Sequence, residues 1–357
     1  MKKNLFRNVF MAVIAMTIFA NVFTGCKSKD NNPPVTADKT KLNALIDSCT
    51  TIAAGATTAN YSQANIDAFN ATLTSAKTAA ASTTITQAAV DNLVISLRAA
   101  KNAFLATAFA AIPAGSLTFA LKFDEGSGTS LTTTGAKAWT ATLMGGPIAG
   151  HTGLPTFVTG HKGTGYAMHF GLGSHLEISN NTAADLTKSQ LSIAVWVKTD
   201  TIYGNNYIIS YNTYHTWKFQ LQDANNPFFT FASTAGILDA DDHTGGSVPN
   251  ATWNHLVVTL DLTAGLETFY INGVNVWQWK KGTTNSDTDK TKIFLSGTLV
   301  PPTTATPLEI GLDFPIGTPL PTAFSNISYF KGSLDDLEFY NIALSDGQVT
   351  GLYNSEK

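Results

Sequence analysis

Two stretches concentrate side chains that can grip a sugar. Tyr203-Gly-Asn-Asn-Tyr207 is followed by Tyr211-Asn-Thr-Tyr-His215-Thr-Trp217, and Trp277 and Trp279 alternate further on. Sugars bind through C–H faces stacked on aromatic rings and through hydroxyls paired with amides and carboxylates. The candidate ligand-binding residues are therefore Tyr203, Asn205, Tyr207, Tyr211, Tyr214, His215, Trp277 and Trp279. Aromatic rings also complete the core of a charge-poor domain, and Trp196, Trp217 and Trp253 are assigned there. The run Asp239-Ala-Asp-Asp-His243, followed by Gly245-Gly246, sets Asp239, Asp241 and Asp242 in one predicted loop. Such hard oxygens suit calcium, although an acidic loop is more often simply solvated. Asp335-Asp336-Leu337-Glu338 comes nearest to a catalytic carboxylate pair, because Asp336 and Glu338 share one strand face. Acids hydrogen-bonded in place are the plainer reading of that run. No Ser-His-Asp order stands out, and the seven His lack a His-x-x-x-His spacing for zinc.

The elements that must position these residues are strands. Leu256, Val258 and Leu260 alternate with Trp253, His255, Val257 and Thr259, a period of two rich in β-branched residues. Asp261 to Gly265 reads as a turn, Leu266 to Ile271 as a returning strand, and Asn272-Gly273 as a tight turn. Upstream, Leu117, Phe119, Leu121 and Phe123 alternate. So do Leu191, Ile193, Val195 and Val197, with Trp196 on the opposite face. Short apolar runs recur at Tyr166–Phe170, Leu176–Ile178, Ile208–Ser210, Trp217–Leu221, Phe228–Phe231, Leu308–Gly311 and Gly332–Tyr340. Many short strands separated by turn signals predict a sandwich of two sheets.

The first third reads differently. Lys2, Lys3 and Arg7 precede a mostly apolar run from Val9 to Phe23, so residues 1–25 are expected to be a secretion signal. Residues 26–37 are polar and contain Pro33-Pro34, a flexible tether. From 38 to 111 the spacing becomes helical. Leu42, Leu45, Ile46 and Cys49 form one stripe, and Ile66, Phe69, Leu73 and Ala76 a second. Val90, Leu93, Val94, Leu97, Ala100 and Phe104 form a third, with Thr86 as an N-cap. Three amphipathic helices joined by short turns predict a small bundle. Pro113-Ala114-Gly115 ends it, and residues 116–357 form the β domain.

Charged residues are 13% of the 357, and the formal net charge is −3. Without the leader's three cations, 22 basic residues become 19 against 25 acidic ones, a net of −6. An acidic chain lacking basic runs is a poor nucleic-acid binder, since phosphate contacts need clustered Lys and Arg. The two cysteines, Cys26 and Cys49, belong to no metal-binding or redox spacing.

Three resemblances add to this reading. Phe23-Thr-Gly-Cys26 resembles a bacterial lipobox, except that Phe23 stands where a smaller aliphatic is usual; it implies lipidation of Cys26. The helical segment, with Tyr61 opening its second helix and Thr86-Gln-Ala-Ala-Val-Asp91 its third, resembles FIVAR-type bundles of bacterial surface proteins, which serve as spacers or adhesive repeats. The β domain resembles the laminin-G-like, concanavalin-A-like jelly roll. Phe123-Asp-Glu-Gly-Ser-Gly128, Leu191-Ser-Ile-Ala-Val-Trp-Val197, Trp253-Asn-His-Leu-Val-Val258, Tyr270-Ile-Asn-Gly273, Pro307-Leu-Glu-Ile-Gly311 and Gly332-Ser-Leu-Asp-Asp-Leu-Glu-Phe-Tyr-Asn341 carry it. Ala343-Leu-Ser-Asp346 resembles the start of the short helix that closes such domains. Jelly rolls of this type commonly hold calcium, and Asp124 and Asp335 occupy matching positions, but Gly171-Leu-Gly-Ser-His175 lacks the expected acid. Glycosidases of this fold carry a Glu-x-Asp-x-x-Glu run, and this chain has none.

The expected architecture is thus multidomain α plus β, a three-helix bundle followed by an all-β jelly roll. The expected function is a lipid-anchored, exported envelope protein displaying a non-catalytic glycan-binding or adhesion module. Its setting would be the outer membrane or surface of a Gram-negative bacterium, and its partner a glycan or a cell-surface protein. The alternatives are a polysaccharide hydrolase and a structural, protein-binding subunit of a surface complex.

Overall fold

The computed structural model describes residues 36–146, 153–202, 204–241, 247–282, 295–313 and 329–357. Cys26, Tyr203 and Asp242 fall outside them. The chain forms two units, one ending at Ala108 and one spanning Phe109–Lys357.

The first unit holds α1 (Thr40–Ala54), α2 (Gln63–Ala81) and α3 (Gln87–Leu105). Ser62 and Thr86 cap the second and third helices, each accepting a hydrogen bond from the backbone N–H three residues on. The predicted stripes meet in one core, where the Phe104 ring stacks on Tyr61 and Phe69. Cys49 is buried there and burial pushes its thiol pKa up, so it behaves as a small apolar side chain. No helix among the described residues is long and apolar enough to cross a membrane.

The second unit is the sandwich. Its strands are β1 (Leu117–Leu121), β2 (Ser130–Thr132), β3 (Thr140–Met144), β4 (Thr156–Thr159), β5 (Tyr166–Phe170), β6 (His175–Ile178), β7 (Gln190–Thr199) and β8 (Asn206–Tyr211). A helical turn, α4 (Ala183–Leu186), precedes β7. Then come β9 (Trp217–Gln222), β10 (Asn226–Ser233), β11 (Gly236–Asp241), β12 (Asn254–Asp261), β13 (Leu266–Ile271), β14 (Val274–Lys280), β15 (Leu308–Ile310), β16 (Gly332–Tyr340) and the helix α5 (Asp346–Glu356).

Sheet one runs β14-β13-β12-β7-β16-β5-β4, with β1 also on β16; sheet two runs β11-β10-β9-β8-β15-β6-β3-β2. Every ladder is antiparallel, and non-consecutive strands sit side by side, as in a concanavalin-A-like jelly roll. The core is the sum of the inward alternations: Leu191, Ile193, Val195 and Val197 from β7, and Leu256, Val258 and Leu260 from β12. From sheet two come Phe219, Phe229, Phe231, Leu308 and Ile310. Trp217 is fully buried among them, and its indole N–H donates to the Leu186 carbonyl at 2.8 Å.

One irregularity matters for chemistry. β16 carries a bulge between Asp335 and Glu338, with Asp336 at φ 43°. The extra residue changes the alternation phase, so Asp335 and Glu338 both face outward while Leu334 and Phe339 face the core.

Candidate functional site

The outer face of sheet one is occupied by the chain itself. α5 lies over it, and Val349 packs with Ala194, Val257, Tyr270, Tyr340 and Leu344. Below its last turn lies a partly buried charge cluster. Lys122 Nζ reaches Glu338 at 2.5 Å, Asp336 at 3.2 Å and Glu356 at 3.5 Å. Burial alone would lower the Lys122 pKa, but the facing carboxylates hold it above the usual lysine range. Glu356 is raised to about 8, first by burial and then by the Glu338 charge, and it accepts a hydrogen bond from the Trp196 indole at 3.1 Å. His255, wholly buried beside it, is lowered to about 3 by burial and by the charges of His161 and Lys122. Tyr340 donates its hydroxyl hydrogen to Glu338. Asp336, set in the bulge, and Glu338 both reach Lys122, but through the bulge and not through the two-residue alternation expected of them. They are joined by one ammonium under a helix, which leaves no room for substrate between them.

Among the described residues, His161, Asp335 and Asp336 bring three possible metal-ligating atoms within 4.8 Å of one another. Both nitrogens of His161 are already engaged. Nε2 lies 2.8 Å from the Glu356 carbonyl and Nδ1 lies 2.7 Å from Asp335 Oδ2. Burial opposes protonation, but those bonds raise the His161 pKa, and an imidazolium has no lone pair for a metal. Asp335 also accepts the His161 backbone N–H at 2.9 Å, while Asp124 accepts that of Tyr166 at 3.1 Å. A Cβ on Gly165 would come within 2.5 Å of Asp124 Oδ1. The two aspartates proposed for calcium thus clasp opposite ends of the β4–β5 turn. That donor set does not fit the six to eight oxygens calcium takes.

The acidic loop expected at 239–242 is corrected. Its first part is β11, because Phe228–Ser233 pairs along Gly236–Asp241 throughout. Asp239 accepts a hydrogen bond from Thr230 Oγ1 at 2.6 Å.

The aromatic candidates scatter. Tyr211 and Trp279 are corrected from surface to core, since both alternate inward with the apolar set. Trp277 is half-buried against the same cluster, and its ring meets that of Trp279 edge-on at 5.6 Å. Tyr214 is 47% exposed in a 3-10 turn, with its ring 4.2 Å from that of the exposed His215. The Tyr211 ring also lines a recess of about 260 Å³ with Ser179, Asn181, Pro302, Thr304 and Thr306. Tyr207 faces outward from β8, with the Lys218 ammonium 4.8 Å above its ring. Asn205 accepts a hydrogen bond from Gln220 Nε2 at 3.3 Å beside it.

Tyr207 and Asn205 lead to a feature that local sequence did not reveal. Across the outer face of sheet two, one register row is polar on every strand. It runs Ser130, Thr142, Glu177, Glu309, Ser210, Lys218, Thr230, Asp239. Its ends and the Glu177 and Lys218 side chains are wholly or partly open to solvent, whereas Glu309, Ser210 and Thr230 are buried. Ser210 donates to Asp313 Oδ1 at 3.2 Å, and burial raises the Asp313 carboxyl despite the nearby Lys218. Ser179 donates to Glu177, which joins the row to the recess. Each member sits at the outward position of its own strand. The row emerges only because β15 inserts between β8 and β6.

Residues 170–299 match the concanavalin A-like lectin/glucanases superfamily. That span covers β6 through β14, including Glu177, Tyr207 and Lys218 of the jelly roll's outer face. No curated protein matches the chain. Among solved structures, the fold resembles domain 4 of AbnA, a GH43 extracellular arabinanase from Geobacillus stearothermophilus, in complex with arabinotriose. Identity is 19% and the TM-score 0.46, over 68% of this chain and 100% of that one. It also resembles the binding domain of Paraclostridial Mosquitocidal Protein 1 (16%, TM-score 0.45, 67% of this chain and 52% of that one). A third likeness is to botulinum neurotoxin type C, whose cell entry depends on interaction with two ganglioside molecules (14%, TM-score 0.42, 68% and 51%). The chain spans about half the length of these two toxin domains.

Proposed function

We propose that the jelly roll is a non-catalytic glycan-binding module and that its binding face is the outer surface of sheet two. The observation that carries this is the polar row crossing all eight strands, flanked by Tyr207 and Asn205. The solvent-reaching members of the row, Ser130, Thr142, Glu177, Lys218 and Asp239, can meet sugar hydroxyls, with the buried Glu309, Ser210 and Thr230 beneath them, while sheet one is closed by α5. The solvent-reaching acids Glu177 and Asp239 outnumber Lys218, so the face favours neutral chains over uronate-rich ones. Export, lipidation at Cys26 and display from an envelope surface on the helical bundle complete the proposal. They follow from the basic, apolar leader and the Phe23-to-Cys26 motif.

The Glu177–Glu309 cross-strand pair is the one observation favouring the hydrolase alternative, since glycosidases use two carboxyls flanking the scissile bond. Glu309 is only 1% exposed, so it is not placed to protonate a glycosidic oxygen, and Glu177 alone does not make a pair. A screen of neutral and acidic polysaccharides by affinity electrophoresis, with and without chelator, tests the proposal. Retardation by a neutral polysaccharide without release of reducing sugar is expected. Release of reducing sugar would establish the hydrolase instead. Absence of retardation by every glycan would favour a protein partner, and loss of retardation with chelator would bring calcium into the site.

A further inference from the structure

The face of sheet two contains a histidine whose chemistry is incomplete. His175 opens β6 and is 2% exposed. Its Nδ1 lies 2.9 Å from the Gly173 carbonyl, which can only accept, so Nδ1 carries the hydrogen. That fixes the other nitrogen, Nε2, as the free position. Nε2 is buried, has no hydrogen-bond partner, and points at Glu309 Oε2 3.7 Å away. A buried polar atom left unpaired costs about 1–3 kcal/mol, so folds seldom retain one without a use. An ion seated between Nε2 and the Glu309 carboxylate oxygen would give that nitrogen a partner.

We propose that His175 Nε2 and the Glu309 carboxylate, with Glu177 as third donor, bind a divalent transition-metal ion of the zinc type. The geometry has the parts such a site needs. The imidazole is oriented by a backbone carbonyl on its far nitrogen, the usual support of a metal-bound histidine. Glu177 stands two residues along the same strand face from His175 and directly across from Glu309. One nitrogen and two carboxylates match the mixed nitrogen and oxygen preference of zinc, whereas calcium takes oxygens. Glu177 bonds Ser179, and reaching the ion exchanges that hydrogen bond for coordination through a change of rotamer. As the half-exposed member of the three, it also marks the way in. The site does not depend on glycan binding, because its donors are complete without a sugar.

The test is a titration of the full chain, stripped with chelator and dialysed, with Co²⁺ followed by visible absorption and with Zn²⁺ followed by calorimetry. His175→Gln and Glu309→Gln remove the two fixed donors. His161→Gln controls for the cluster on sheet one, and circular dichroism verifies that each variant is folded. The expected result is one ion per chain, with affinity falling at least tenfold in both H175Q and E309Q and unchanged in H161Q. If H175Q does not fold, E309Q carries the same comparison. No binding by the wild type, equal binding by E309Q, or loss confined to H161Q would overturn the site. An imidazolium–carboxylate ion pair would give the first of these outcomes.

Discussion

Glu356 shows how burial turns one side chain into a pH sensor of the fold. Its carboxyl has an ordinary value of 4.5 when unfolded and about 8 when folded, so folding takes up a proton between those values. A folded pKa raised in a carboxylic acid means that stability is lost as pH rises through that window. Glu356→Gln mimics the protonated form and keeps an oxygen for the Trp196 indole. Its unfolding free energy in urea should exceed the wild type's increasingly from pH 5 to pH 8, by roughly a few kcal/mol at the upper end. A difference independent of pH would contradict the assignment. Lys122→Met should act in the opposite sense. It leaves Glu338 and Asp336 without their cation beneath α5; the Lys122 side chain is 37% exposed, so solvent screens the pair and the cost is about 1–3 kcal/mol. Urea unfolding at pH 7 measures that cost, and a smaller cost at acid pH is expected as the Asp336 carboxyl, raised by burial, takes up its proton.

At the scale of elements, the strands and helices were largely legible in local sequence. The alternations at Leu191–Val197 and Leu256–Leu260 and the stripes at Leu42–Cys49 and Ile66–Ala76 appear in the structure as buried faces. What local pattern could not carry was order across the sheets. Glu177 and Glu309 each sit between two apolar neighbours in short strands far apart in sequence, and only the pairing of β15 with β6 joins them. The bulge in β16 was equally hidden, since Asp335-Asp336-Leu337-Glu338 alternates well without it. The acids at 239–241 read as a loop because Asp and Gly are turn formers, yet six pairings with β10 override that preference. The aromatic candidates divide between surface and core for a different reason. Sequence cannot tell an outward Tyr207 from an inward Tyr211 when a second irregularity, between Tyr207 and Ile209, changes the phase of β8. Where β16 meets β7, Gly332 has φ 147° and no space for a side chain, with the Lys198 carbonyl 2.3 Å from where a Cβ would lie. Gly332→Ala should lower the urea midpoint by the equivalent of about 2 kcal/mol or more through overpacking and strain, whereas Gly163→Ala, with open space, should cost less.

On the scale of the whole molecule, two units with separate cores divide the work. The bundle's core rests on Leu97, Phe104 and their neighbours, and the sandwich's on the inward faces of two sheets. Leu97→Ala should therefore destabilise the bundle by about 2–5 kcal/mol. In calorimetry it should move one transition and leave the jelly roll's unfolding in place; a shift of both would show that they unfold as one.

The sandwich covers one outer face with its own C-terminal helix and lines the other with a polar row, and that asymmetry is the basis of the binding proposal. The most direct test measures the retardation of Lys218→Ala and Asp239→Ala chains in gels of whichever neutral polysaccharide retards the wild type. Tyr214→Ala, outside the row, serves as comparison. The account predicts that each row variant weakens retardation several-fold while the fold, followed by circular dichroism, is unchanged. Retardation undiminished in both row variants but abolished in Y214A would contradict it and place the ligand at the sandwich's end instead.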